Sequence, residues 1–358
     1  MQCSPLAAGT PKDAAARSSR PLTELPKAHL HLHFTGAMRH STLVELARLH
    51  DIRLPPALVE EWPPRLSGTD ERGWFRFQRL YDMARSVLRT PRDVRRLLTE
   101  MAEDERAEGS RWLEIQVDPG GYFAARFGGI TAMLELVLDA VAAAQAATGV
   151  GIGVIVAANR TKHPLEARTL ARLAVQYAGR GVTGFGLSDD ERRGPARDFA
   201  AAFRIAERGG LLLDPHGGEL AGAASVAACL DDLHADRIGH GIRSVEDPAV
   251  LRRLAAKGVT CEVCPSSNVA LGIVPEASQV PLRRLVEAGI PVALGADDPL
   301  LFGPRLTAQY EIARHAHGFR DAELAELARM SVLGSVAPPP LRAELLAGID
   351  AWLAAEQA

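Results

Sequence analysis

The feature that most constrains this chain is an alternation. Eight short apolar runs recur between longer stretches of helical periodicity, at 27–34, 111–119, 151–159, 182–188, 211–219, 237–242, 259–266 and 291–298. Runs of this length, rich in Val, Ile and Leu, read as strands buried on both faces. Between them lie stretches such as TAMLELVLDAVAAAQAATG and DPAVLRRLAAKG, several of which close on glycine, the usual residue just past a helix end. Strand and helix in alternation predict a parallel sheet. Eight such units predict an α/β chain closed into a (β/α)8 barrel of TIM type.

The first gap is the long one. Residues 37–110 hold several helical stretches, and an insertion after the first strand belongs at the C-terminal mouth of a barrel, as a lid or a wall. Its apolar stripe (Trp74, Phe75, Phe77, Leu80, Tyr81) reads first as helix packing and only second as pocket lining. No linker follows residue 20, so 21–358 is expected to be one barrel domain. Residues 1–20, rich in Ala, Ser and Pro, read as a disordered leader.

Composition removes several function classes. The chain has 358 residues, a net charge of −3 with both signs interspersed, and only 5% aromatic residues. That leaves neither a basic stripe nor a stacking platform for nucleic acid. No uninterrupted apolar run reaches the ~18–20 residues of a membrane span, and the leader lacks the apolar core of a secretory signal. The cytoplasm is the expected location, with a small-molecule substrate and no inferred protein partner. The cysteines (Cys3, Cys229, Cys261, Cys264) are too few for a disulfide scaffold, and Cys261-x-x-Cys264 reads as buried thiols.

Chemistry concentrates where the runs end. His31 and His33 end the first, His216 and Glu219 the fifth, His240 falls in the sixth, and Asp297 and Asp298 end the eighth. Taken singly, each fits something ordinary: a core histidine, a tight bend, a turn before proline. Together they fall at one end of the inferred barrel, where barrel enzymes carry their sites. Three imidazoles (His31, His33, His216) with the Asp297 carboxylate suit one catalytic zinc ion. Glu219 is placed to exchange a proton with substrate, and His240 and Asp298 to orient or deprotonate the attacking water.

The segments LPKAHLHLHFTGAM, DPHGGELAG, RIGHGIRSVEDP, CEVCPSSNVALG and VALGADDPLLFG resemble, in order, the adenosine deaminase family of the amidohydrolase superfamily. The resemblance runs from about Leu25 to the C-terminus. It implies a distorted (β/α)8 barrel, with His31, His33, His216 and Asp297 as zinc ligands. By the same resemblance Glu219 protonates the purine ring nitrogen, His240 activates the hydroxide, and Asp298 holds the attacking water. Water adds to the carbon bearing the exocyclic amine of an adenine nucleoside, and ammonia leaves. The cytidine-type zinc deaminase is excluded, because no H-x-E pairs with a P-C-x-x-C.

The resemblance also exposes departures that bear on substrate choice. Thr35 stands where relatives carry a carboxylate that holds the ribose 5′-hydroxyl, which opens the reading of a 5′-modified adenosine such as aminodeoxyfutalosine, of the menaquinone route. Gln116 replaces a common arginine, Asp189 a glycine whose N–H meets the purine, and His29 a common glutamate; all but His29 are candidate substrate contacts. His29 shares the ligands' face and lies one layer deeper. Arg160, Arg192 and Arg193 are candidate partners for an acidic substrate. Adenine itself is a less favoured substrate. A binuclear hydrolase would need a bridging lysine, and none of Lys12, Lys27, Lys162 and Lys257 lies in the fourth run. A catalytically dead binding protein would have lost a ligand or Glu219.

Overall fold

A computed structural model describes residues 20–355, so the leader lies, except for Arg20, outside the described residues. Eight parallel strands follow one another around a single sheet in sequence order. They are β1 (Lys27–His33), β2 (Ser110–Val117), β3 (Gly151–Asn159), β4 (Val182–Ser188), β5 (Leu212–Gly217), β6 (Arg237–His240), β7 (Thr260–Val263) and β8 (Val292–Leu294). The ring closes between its ends: the His33 N–H donates to the Asp297 carbonyl (3.0 Å) and the Asp297 N–H to the His31 carbonyl (3.1 Å). This is the expected (β/α)8 barrel.

β3 and β4 keep the limits read from sequence; β5 to β8 stop short of theirs. At β5 and β6 the cause is conformational. Gly218, His240, Gly241 and Asp297 have φ of 71°, 66°, 70° and 62°. Left-handed residues do not continue a strand, so β5 ends just after His216 and β6 on His240, while Glu219, Asp297 and Asp298 lie beyond the strand ends. For the non-glycines that backbone is costly, and such strain persists where surroundings over-determine it, commonly at functional sites.

The insertion after β1 contains α1 (His40–Leu49), α2 (Glu71–Ser86) and α3 (Pro91–Ala107). Asp70 caps α2 by accepting from the Gly73 N–H (2.7 Å), and Thr90 and Asp93 form a reciprocal capping box on α3. One helix, Ile130–Thr148, is long and apolar enough by composition to cross a membrane. It lies between β2 and β3 in the outer ring, carries Glu135 bonded to the Tyr177 hydroxyl (2.6 Å), and buries Met133, Leu134 and Val137. Its hydrophobicity is that of a barrel helix. The three cysteines among the described residues, Cys229, Cys261 and Cys264, are free and buried.

Candidate active site

The strand ends bring the histidines together. His31, His33 and Asp297 form one cluster of donor atoms, and His31, His216 and His240 another, each spanning no more than 4.8 Å. The Asp297 carboxylate lies 3.2 Å from His33 Nε2 and 3.6 Å from His31 Nε2; His33 and His216 meet Nε2 to Nε2 at 3.2 Å. His31 Nε2 is buried with no hydrogen-bond partner. Buried polar atoms are rarely left so. An orphaned imidazole nitrogen among other imidazoles and a carboxylate fits a metal of the zinc type. Gly239 makes the approach possible: a Cβ there would stand 2.9 Å from His31 Cε1 and 3.0 Å from His216 Nδ1. Gly36 does the same for Asp298, whose carboxylate occupies the space a Cβ would take.

Burial sorts the titratable groups. It raises the Glu219 carboxyl well above its ordinary value, reinforced by the charges of Asp297 and Glu191. Burial opposes ionisation of Asp297 too, but the imidazoles of His31 and His33 beside it outweigh that and hold the carboxylate well below its usual range. Burial and the charge of Asp297 push Asp298 up. Burial, with the charge of His31, lowers His240 to about 3. Carboxyls driven apart in this way are the mark of an acid and an anion sharing one site. Glu219 Oε2 lies 3.6 Å from His240 Nε2, so a carboxyl with a raised pKa and a neutral imidazole face one small volume.

That volume is an inner cavity lined by Thr35, Gln116, Glu219, His240 and Asp298 and walled by Trp74, Phe77 and Tyr81 of α2. The aromatic stripe therefore divides: these three line the cavity, whereas Phe75 is half exposed. Helix packing alone does not account for these three, because the barrel mouth is itself the surface α2 covers. Gln116 is buried with neither amide atom bonded, leaving a donor and an acceptor on the wall. Thr35 is buried and hydrogen-bonded to the Tyr81 hydroxyl.

The Asp189 side chain is engaged elsewhere. Its carboxylate accepts from Trp74 Nε1 (3.0 Å) and Asn159 Nδ2 (2.6 Å), tying α2 to the ends of β3 and β4. The arginines correct the sequence reading. Arg160 is buried and donates to the His216 carbonyl (2.6 Å); Arg192 pairs with Asp190 (2.8 Å); only Arg193 remains on a cavity wall. His29 also leaves the ligand face. The β1 register shifts between His29 and Leu32, and His29 bonds Glu105 of α3 (2.8 Å) and the Ala296 N–H (3.0 Å).

Glu191 has a role that no isolated carboxylate in a sequence announces. Its side chain accepts from the backbone N–H groups of Gly218, Glu219 (2.9 Å), Leu220 (2.7 Å) and Ala221 (2.9 Å). One buried carboxylate thus fixes the turn that presents His216 and Glu219.

A family model described as adenosine deaminase matches residues 26–352. The chain belongs to the adenosine deaminase family. It is 66% identical over 340 residues to a Streptomyces coelicolor protein carrying the paired name adenosine/adenine deaminase, covering 94% of this chain and 99% of that one. It is 35% identical over 327 residues to an adenine deaminase of Rhizobium leguminosarum bv. trifolii, covering 90% and 98%. Among solved structures, adenine deaminase from Arthrobacter aurescens superposes with a TM-score of 0.84 at 30% identity, covering 92% of this chain and 99% of that one. The family and the site together make this chain a deaminase-type hydrolase.

Proposed function

We propose that this family member hydrolytically deaminates the adenine ring of a nucleoside, with one zinc ion held by His31, His33, His216 and Asp297. The observation that carries the chemistry is the pairing of a buried Glu219, its pKa raised by that burial, with a neutral His240 beside the orphaned His31 Nε2. When bound, the ion acidifies water towards neutral pH. The protein's own groups do the rest. Glu219 donates its proton to a ring nitrogen beside the amine-bearing carbon, which makes that carbon electrophilic. His240, neutral at pH 7, orients the attacking water, accepts its proton and passes it to the exocyclic amine, whose bond to the ring carbon breaks as ammonia leaves. Asp298 accepts a second hydrogen bond from that water. Gln116, with both amide atoms free, is available to bond the purine edge.

The shape of the mouth favours a nucleoside with a 5′ substituent larger than hydroxyl. The inner cavity shares Trp74, Gln78, Arg85, Asp118, Asn159 and Asp189 with an outer cavity of about 690 Å³. An adenine base in the inner cavity would leave the outer one for whatever the sugar carries. Thr35, committed to Tyr81, offers no carboxylate to a 5′-hydroxyl. Aminodeoxyfutalosine is one substrate of this shape, and Arg193 is one of several cations on the outer wall, with Arg79, Arg126 and Lys162, placed to meet its carboxylate. A second reading, free adenine, is favoured by the names of the rhizobial and Arthrobacter relatives.

The test is kcat/KM for adenine, adenosine, 5′-extended adenosines and aminodeoxyfutalosine, followed by loss of the adenine chromophore. Highest efficiency for a 5′-extended nucleoside supports the proposal. Adenine or adenosine ahead by orders of magnitude overturns the 5′ argument and leaves the deaminase reading standing.

A further inference from the structure

Beneath the histidines lies a buried cluster of charge. Arg237 on β6 is 1% exposed. Its Nη2 lies 2.7 Å from Glu114 of β2 and 3.4 Å from Asp214 of β5, its Nε is 2.7 Å from Glu262 Oε1 of β7, and Nη1 donates to the Gly334 carbonyl (3.1 Å). The three carboxylates are fully buried. Three carboxyl groups face one guanidinium, an excess of negative charge inside the barrel even with burial and the charge of Glu262 raising Asp214 to about 7. Such an excess is costly unless a cation shares the region.

One member reaches the site. Glu262 Oε2 is 2.8 Å from His31 Nδ1. A carboxylate there accepts from Nδ1–H, so Nε2 is the one His31 nitrogen that can offer a lone pair to a metal, and Nε2 is the orphaned atom. Glu262 cannot turn away, because its other oxygen is held against Arg237. The order Glu114–Arg237–Glu262–His31 runs from β2 across the barrel to β6 and β7 and on to His31 of the donor cluster.

We infer that Glu262 is a positioning residue for the metal: clamped by Arg237, it fixes the tautomer and ring orientation of His31 and supplies negative charge that a dication offsets. This rests on the metal reading above. Carboxylate partners of ligand histidines typically contribute 10–100-fold to metal affinity. Glu114 is the built-in control. It touches Arg237, Trp112 Nε1 (2.7 Å) and the Val336 N–H (2.9 Å), and not His31, so its role is structural.

The experiment is zinc affinity of the full chain, by competition with a chromophoric chelator, for wild type, Glu262→Gln, Glu262→Asp and Glu114→Gln, with apo-protein melting and the cobalt(II) absorption spectrum alongside. Glu262→Gln is expected to weaken zinc binding about 10–100-fold and alter the cobalt spectrum. Glu114→Gln is expected to lower the melting temperature and leave zinc affinity within threefold. Should Glu262→Gln not fold, Glu262→Asp keeps the charge and withdraws it from His31; weakened affinity with a wild-type melting temperature supports the same role. Unchanged affinity in the folded Glu262 variants, or equal losses at Glu114 and Glu262, overturns it. Wild-type protein that binds no zinc overturns the metal reading itself, a result separate from either.

Discussion

The two ends of this barrel both bury polar side chains and treat them in opposite ways. At the N-terminal end Lys27 is buried and fully satisfied: its ammonium donates to the carbonyls of Leu22 (2.7 Å), Leu25 (2.8 Å) and Glu108 (2.6 Å) and lies 5.4 Å from the Tyr310 ring centre. At the C-terminal end His31 Nε2, His216 Nδ1, His240 Nδ1, Asp298 Oδ1 and both Gln116 amide atoms are buried with no partner, and three site residues carry left-handed backbone, Asp189, His240 and Asp297. A satisfied buried group stabilises a fold; a group left open is held for something that binds. The contrast assigns stability to one end and chemistry to the other, so variants should separate the two.

Metal removal is the largest expected effect. Prolonged chelation should abolish turnover, and added zinc should restore it with little change in circular dichroism. Recovery with no metal added would break the contrast at its centre. Next is Glu219→Gln, expected to lower kcat about 10²–10⁴-fold while zinc content by elemental analysis stays unchanged. The same residue sets a pH limb. Its raised folded pKa keeps the acid protonated to higher pH than an ordinary carboxyl, so kcat/KM should fall as pH rises through that value. His240, at about 3, should contribute no limb between pH 5 and 8.

The opposite end should show the reverse. Lys27→Met leaves three carbonyls without their donor and should cost about 2–4 kcal/mol in urea titration, with kcat/KM of the folded fraction unchanged. Lost activity at full stability would show that the ends are not independent. The smallest effect expected is from Asp189→Gly, which frees Trp74 and Asn159. A several-fold rise in KM at near-constant kcat is the scale of one or two neutral hydrogen bonds; an unchanged KM would mean that α2 needs no anchor.

Much of this was legible in the chain. The eight runs announced the barrel because parallel strands, covered on both faces, are near-continuously apolar, as β3 and β4 are. The site residues were legible because an ionisable group is costly to bury at the end of an apolar run and persists where a partner or a reaction needs it. The aromatic stripe of α2 was only half legible: amphipathic spacing shows that a face is buried, not what it is buried against. Alternation in HLHLH put three histidines on one face, but a register shift in β1, which depends on pairing with β2, sent His29 to Glu105. Arg160 looked free because a sequence does not show that the carbonyl of His216 lies within its reach.

By itself, then, the sequence determined the periodicities, the number of strands and the set of side chains able to hold a metal and move a proton. These follow from local rules of covalent spacing and hydrophobicity. Which of those side chains meet, which are satisfied, and which are left open was decided only when distant strands closed the ring. Glu262 and Arg237 are two ordinary charged residues in the chain, 25 positions apart. Pairing of β6 with β7 places them side by side beneath His31, in an interior where an unpaired charge is costly.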